Sequence, residues 1–189
     1  MIEPLRYPDS NVFINKLDIR DHQKLQAAEA DITAIKSQYY LTHPAVQTFD
    51  LSHVRSIHRF LFEDLYEWAG EIRGYDLKKG NSIFTPSAKI EFYARQVFNE
   101  LHNEKLLTEY SKIQFIERLS YYYDLINRLH PFPEGNGRTQ RLFIQQLANH
   151  NGYHIDWSQV HAWEIEQTAI NAFTEGRESI IRMLERIVC

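Results

Sequence analysis

Cysteine is almost missing: Cys189 is the only thiol in 189 residues. That excludes an internal disulfide framework and any cysteine-based zinc cluster. Backbone breakers are scarce as well. Seven glycines and six prolines fall well below the usual share of roughly 12 %, which disfavours a many-turned β-sandwich or a disordered chain and favours long helices. Neither sign of charge dominates. The formal net charge is −4, so nothing global points to nucleic acid or an anionic membrane surface. The first residues hold no apolar leader-like run, and no later stretch approaches the roughly 18 apolar residues of a membrane span. The expectation is a soluble, cytoplasmic protein. What is present is apolar material: 43 % hydrophobic and 13 % aromatic residues, enough for one real core at this length.

No repeat or low-complexity linker divides the chain, so a single domain over 1–189 is expected. Residues 1–20 read as an irregular lead-in, interrupted by Pro4, Pro8 and Asn11. From Asp21 the pattern becomes helical, with Leu25, Ala28, Ile32, Ile35 and Tyr39 on one predicted face and Pro44 closing the stretch. A second helix is predicted from Ser52, as N-cap, to Trp68, its stripe formed by Val54, Ile57, Leu61, Leu65 and Trp68. Gly70 sits where a left-handed C-cap would fall. Residues 71–84 lose the helical period, and Gly74, Gly80 and Asn81 punctuate a predicted β-hairpin. Thr85-Pro86 reads as a helix opening, continued by Ile90, Ala94, Val97 and Leu101. The strongest period runs through Ile113, Ile116, Leu119, Tyr123, Ile126 and Leu129 and stops at His130-Pro131. Another helix is expected from about Arg138 through Leu147, a further one from an Asp156 cap through Trp163, and a last one around Ile180–Ile187. The fold class is all-α with one small hairpin.

Chemistry concentrates in the loop His130-Pro-Phe-Pro-Glu-Gly-Asn-Gly-Arg-Thr-Gln-Arg141. Gly135 and Gly137 flank Asn136, letting the backbone adopt positive φ and approach a ligand closely. The helix that follows offers its unpaired N–H groups and positive dipole end to the same loop. Arg138 and Arg141, three apart, add charge-assisted donors from one side of the first helical turn. Together these make an anion site suited to phosphate. Glu134 is a carboxylate beside that cradle and would repel phosphate unless a divalent cation lay between, so it reads as a Mg²⁺ ligand. His130 is placed to act as a general base near neutral pH. Phe132 reads as a core anchor for the loop, stiffened by Pro131 and Pro133. There is no Gly-Lys-Ser/Thr, so this is not the usual P-loop.

On these residues the chain resembles the Fic family, whose motif His-x-Phe-x-Asp/Glu-Gly-Asn-Gly-Arg-x-x-Arg is matched at all eight specified positions of 130–141. Trp68-Ala-Gly-Glu-Ile-Arg73 ahead of the hairpin, and the helices around the motif, extend the resemblance over roughly 50–155. It implies a Fic-type helical bundle with a hairpin flap, flanked by a lead-in and helix over 1–45 and C-terminal helices over 156–189. It also implies an AMP transferase that uses ATP and Mg²⁺ to place AMP on a Tyr, Ser or Thr hydroxyl of a target protein. His130 would deprotonate that hydroxyl and Glu134 would hold Mg²⁺. Gly135, Asn136 and Gly137 would form the anion hole, and Arg138 and Arg141 would bind the distal phosphates. A kinase-like branch carries lysine where this chain has Gly137, which favours adenylyl transfer; a phosphocholine-transferring branch stays open. In the flap at about 75–85, target backbone would pair with the edge strand, with Ile83 as a candidate clamp and Lys78 and Lys79 as candidate readers of acidic neighbours.

The resemblance further implies a small bacterial toxin acting on type II topoisomerases, DNA gyrase and topoisomerase IV, and restrained by a separate helical antitoxin whose glutamate faces Arg141. The inhibitory pattern Ser/Thr-x-x-x-Glu-Gly/Asn is approached at Thr174–Glu178 and Ser87–Glu91, but neither stretch is followed by Gly or Asn. Elsewhere plainer readings hold. Lysines in a hairpin are ordinarily solvated edge charges. His150 and His154 are split by Asn151-Gly152 and make a poor metal pair, and His53 and His58 read as structural or surface residues. Tyr121-Tyr122-Tyr123 reads as core and groove lining, with automodification as a lesser role. The competing classes are a silent binding module that docks partners on flap and groove, and a metal-dependent phosphohydrolase, for which the chain lacks a His-Asp ligand cluster.

Overall fold

The computed structural model describes residues 5–44 and 46–189; the part of the lead-in at 1–4, with Pro4, lies outside them. Among the described residues are seven α-helices: α1 (His22–Thr42), α2 (Leu51–Phe62), α3 (Ile90–Asn103), α4 (Lys112–Leu129), α5 (Asn136–His150), α6 (Ala162–Thr174) and α7 (Glu178–Ile187). One two-stranded sheet, β1 (Lys78–Lys79) and β2 (Ser82–Ile83), lies between α2 and α3. The expected helical fold with a single small hairpin is observed. No described helix is long and apolar enough to cross a membrane.

The organising element is α4, which packs against α3, α5, α6 and α7. A capping box of Ser111 and Gln114 starts it. Ile116, Leu119, Tyr123, Ile126 and Leu129 are buried along it as its period predicts, joined by Phe115 and Tyr122, whereas Ile113, in the first turn, is exposed. The second layer is α2 against α1, α3 and α5, with Ile57 and Leu61 of α2 and Phe143, Ile144 and Leu147 of α5 in one continuous core.

Several local expectations are corrected. The second helix is capped by Asp50, whose carboxylate accepts from His53 N at 2.9 Å, and it ends at Phe62. The Phe62 carbonyl takes both the Leu65 and Tyr66 amides, a tight turn that drops Leu65 and Tyr66 into the core. Thr85 does not cap a helix: its hydroxyl donates to Arg128 O, and Asp76 accepts from Ser87 N at 2.7 Å instead. That opening is a 3-10 turn, Ser87–Lys89, before α3. Asp156 also caps only a 3-10 turn, Trp157–Gln159, and extended Val160 and His161 separate it from α6.

The largest correction concerns α1. Ile35 and Tyr39 are exposed, and the buried face is Leu25, Glu29, Thr33 and Tyr40. The helix is turned about one position from its apolar stripe because Glu29 and Thr33 meet polar partners beneath it. Those partners belong to the site.

Candidate active site

The site forms where α4 gives way to α5. His130 is the C-cap of α4 and takes a left-handed conformation, φ 42°, since proline at the next position disfavours continued helix. The turn lays its imidazole on Phe84 of the flap, ring centroids 3.7 Å apart and 20° from parallel. Nδ1 lies 3.3 Å from the Asn127 carbonyl. A carbonyl only accepts, so Nδ1 carries the proton and Nε2 presents its lone pair. Nε2 is buried and has no hydrogen-bond partner among the described residues. Burial, helped by the positive charges of Lys79 and Arg73, pushes the His130 pKa down to about 3. The ring is therefore neutral at physiological pH, in the form a general base requires.

Arg73 fixes this arrangement. Its buried guanidinium donates to His130 O at 2.8 Å, Tyr75 O at 2.6 Å, Thr85 O at 2.6 Å and Leu129 O at 3.5 Å. Tyr75 and Thr85 flank the hairpin, so one side chain ties both ends of the flap to the end of α4. The Arg73 amide completes the clamp by donating to Pro131 O at 2.9 Å.

The loop itself is held from inside. Phe132 is fully buried, as expected of an anchor, and stacks on His58 at 3.8 Å. Asn136 closes a ring with Phe132, accepting from its N–H at 2.9 Å and donating to its carbonyl at 2.8 Å. The Asn136 side chain is thus spent on the loop, and among 135–137 it is Gly135 and Gly137 that line the cavity. His58, expected to be a structural or surface residue, is fully buried and structural. Its Nδ1 accepts from Gly70 N at 2.8 Å and its Nε2 faces Glu134 O at 3.0 Å, so the ring is neutral with the proton on Nε2. Burial is the main cause holding its pKa down at about 3, and the nearby Arg138 charge lowers it further. Gly135 has φ 77° and lies against Phe62, so that a Cβ there would fall 2.3 Å from the ring. At Gly137 a Cβ would meet nothing nearer than Arg141 Nη1 at 3.4 Å.

Because α5 begins at Asn136, two residues before the predicted start, the amides of 136–138 open the helix without intrahelical acceptors. The two motif arginines then part company. Arg138 donates to Glu29 Oε2 at 2.7 Å, lies 3.7 Å from Glu134 Oε1, and rests over the Phe62 ring at 4.7 Å. Arg141 forms no ion pair among the described residues. Burial lowers its guanidinium below its ordinary value, the direction expected of a cation without a counter-ion. Glu134 accepts from Gly135 N at 2.9 Å through Oε1, while its Oε2 meets Lys79 loosely at 3.9 Å.

These groups open onto one cavity of about 680 Å³. It is lined by the motif loop and α5, by Lys79 to Ser82 and Phe84 of the flap, and by Ile165, Ala169 and Phe173 of α6. The predicted residues His130, Glu134, Gly135, Gly137, Arg138, Arg141 and Lys79 all reach it. Lys78 pairs with Ile83 across the hairpin, one register step from the Lys79–Ser82 pair. Both are exposed and neither lines the cavity, Ile83 standing 71 % exposed on the outer flap. No group of three or more metal-ligating side chains exists among the described residues, His150 and His154 included. A single carboxylate beside a phosphate site does fit Mg²⁺, which is commonly held by one or two carboxylates together with substrate phosphates.

The sequence model of the Fic/DOC family matches residues 48–148. Protein adenylyltransferase VbhT of Bartonella schoenbuchensis is 38 % identical over 97 % of the chain, which spans 38 % of that relative's length. The Escherichia coli protein named "Probable protein adenylyltransferase Fic" is 38 % identical over 85 % of this chain and 80 % of its own. Among solved structures, the N-terminal Fic domain of a Bartonella quintana Bep effector with bound ADP matches with a TM-score of 0.92. Its identity is 26 %, over 98 % of this chain and 94 % of that one. BepC of Bartonella tribocorum with bound AMPPNP shares the fold at a TM-score of 0.92 and 23 % identity, over 98 % and 96 %.

Proposed function

The chain belongs to the Fic/DOC family, and from that premise we propose that it is a protein adenylyltransferase. It would transfer AMP from ATP to a Tyr, Ser or Thr hydroxyl of a target protein. The observation that carries this reading is the neutral His130, whose buried Nε2 has no hydrogen-bond partner among the described residues, on the lining of the same cavity as Gly137 and the uncompensated Arg141.

Nε2 takes the proton of the target hydroxyl as that oxygen bonds to the α-phosphorus. The bond from the α-phosphorus to the bridging oxygen breaks, and pyrophosphate leaves. The α5 amides and Gly137 bind phosphate oxygens at a helix end that favours negative charge, and Arg141 binds the terminal phosphate. Glu134 would hold Mg²⁺, which offsets phosphate charge when bound. Lys79, on the cavity side of the flap, supplies further positive charge, while target backbone pairs along the hairpin edge with Ile83 and Lys78 on its outer face.

Finer features of this reading rest on the resemblance of the motif to small stand-alone family members. The targets are type II topoisomerases, DNA gyrase and topoisomerase IV, in the cytoplasm. A separate small helical antitoxin restrains the enzyme by presenting a glutamate to Arg141, whose lack of an ion pair among the described residues supports such a partner. Labelled ATP in a cell lysate tests the chemistry. Protein bands labelled from the α-phosphate support adenylyl transfer, label from the γ-phosphate alone would indicate a kinase, and no label would point to a docking module.

A further inference from the structure

Arg138 lies between two carboxylates at unequal distances. Glu29 Oε2 is 2.7 Å from its Nη2 and Glu134 Oε1 is 3.7 Å from the same atom. Glu29 comes from the middle of α1, outside the 48–148 span matched by the family model, yet it is buried at 7 % exposure. Its second oxygen accepts from the buried hydroxyl of Tyr66. Burial, reinforced by that bond and the Glu29 charge, raises the Tyr66 pKa and keeps the hydroxyl protonated. Thr33, one turn further along α1, places its hydroxyl 3.5 Å from Arg138 Nη1. The guanidinium is therefore held against Phe62 by groups of α1 and the turn after α2, and it reaches Glu134 only at the long distance.

We infer that Glu29 is a positioning residue for the proposed reaction: it holds Arg138 off Glu134 and so leaves the Glu134 carboxylate open to a divalent cation. The inference rests on the reading of Glu134 as the Mg²⁺ ligand. Its physical content is competition. A guanidinium deprived of its nearer counter-charge closes on the remaining carboxylate, because a charge-assisted pair is the strongest contact on offer. A cation must then displace Arg138 before it can bind Glu134. The same logic explains why α1 buries a polar face when an apolar stripe lay one position away.

Glu29→Gln tests this, since the amide keeps the size and an acceptor for Arg138 but removes the charge. Mg²⁺ is titrated calorimetrically into protein saturated with AMPPNP, and AMPPNP affinity is measured separately in chelator. Mg²⁺ binding is expected to weaken of the order of tenfold, with metal-free AMPPNP affinity within about twofold of wild type. Tyr66→Phe loosens the same cluster while leaving the charge and is expected to change Mg²⁺ affinity by less than about twofold; equal shifts in the two variants would assign the effect to packing and overturn the inference. Glu134→Gln supplies the reference. If it weakens Mg²⁺ binding and Glu29→Gln does not, the role of Glu29 is refuted while the Glu134 reading survives. If Glu134→Gln leaves Mg²⁺ binding unchanged, the ligand assignment and the inference fall together.

Discussion

Replacing Gly135 by alanine attacks the active-site loop at its narrowest point. The residue has φ 77°, where an L side chain costs roughly 1–2 kcal/mol. The new methyl would stand 2.3 and 2.4 Å from two atoms of the Phe62 ring. That ring has little room to retreat, since it is fully buried, stacked on His58 at 4.6 Å, and carries the Arg138 guanidinium at 4.7 Å. Overpacking of this kind adds about 1–3 kcal/mol, giving a total of about 2–5 kcal/mol. For a domain of this size each kcal/mol lowers the midpoint of thermal unfolding by about 2–4 °C, so a fall of the order of 10 °C is expected. Function should suffer beyond stability, because displacing Phe62 also moves Arg138 and the His58 contact to Glu134. The assay pairs thermal unfolding with AMPPNP binding well below the midpoint, and Gly137→Ala is the control. There the methyl meets only the far end of the Arg141 side chain at 3.4 Å, an ordinary contact distance, so the midpoint should hold within a few degrees while nucleotide affinity falls. A Gly135→Ala protein as stable as Gly137→Ala would refute the argument that left-handed packing on Phe62 sets the loop.

His130→Ala should lower AMP transfer by roughly 10²–10⁴-fold while AMPPNP still binds; a near wild-type rate in folded protein would remove His130 from the chemistry. Arg141→Gln should weaken AMPPNP binding about 10- to 100-fold, the range of a charge-assisted contact, and more than Arg138→Gln, whose charge is already committed to Glu29; equal losses would contradict the unequal pairing. The pKa values of about 3 for His58 and His130 lie below the unfolded value near 6.5, so the unfolded chain binds protons first as pH falls. Stability is fully present above about pH 6.5 and is lost towards pH 3, at up to about 1.4 kcal/mol per pH unit for each ring, and His58→Gln should flatten that slope in denaturant titrations. Arg73→Lys keeps the charge but cannot span four carbonyls; transfer should fall much further than AMPPNP affinity, and a proportionate loss of both would reduce Arg73 to a general stabiliser.

The sequence made the centre of the fold legible because α4 spells its buried face in apolar residues and stops at a proline. It made the loop legible because glycine, arginine, carboxylate and histidine stand close together in the chain. Glu29 escaped for the opposite reason. It reads as a solvated helix residue, and the arginine that buries it lies 109 positions away. The roles of His58 and Arg73 are not legible because their partners are backbone groups, such as Gly70 N, Glu134 O and the Thr85 carbonyl. Backbone partners leave no side-chain pattern to recognise. The end of α2 was misplaced for a related cause: Leu65 keeps the helical spacing, but the Phe62 carbonyl turns the chain before the spacing can be used.

The cavity wall supplied by α6 has a consequence for how such a site changes over time. The groups proposed to react sit on α4, the loop and α5, while Ile165, Ala169 and Phe173 line the same cavity from a helix that starts at Ala162, outside the 48–148 stretch matched by the family model. The groups proposed for phosphate binding and proton transfer thus lie in one stretch of the chain, and part of the apolar wall a ligand would meet lies in another. Drift in α6 alters the width and greasiness of the opening at little cost to proton transfer, and the motif can stay fixed while the range of molecules it serves is redrawn.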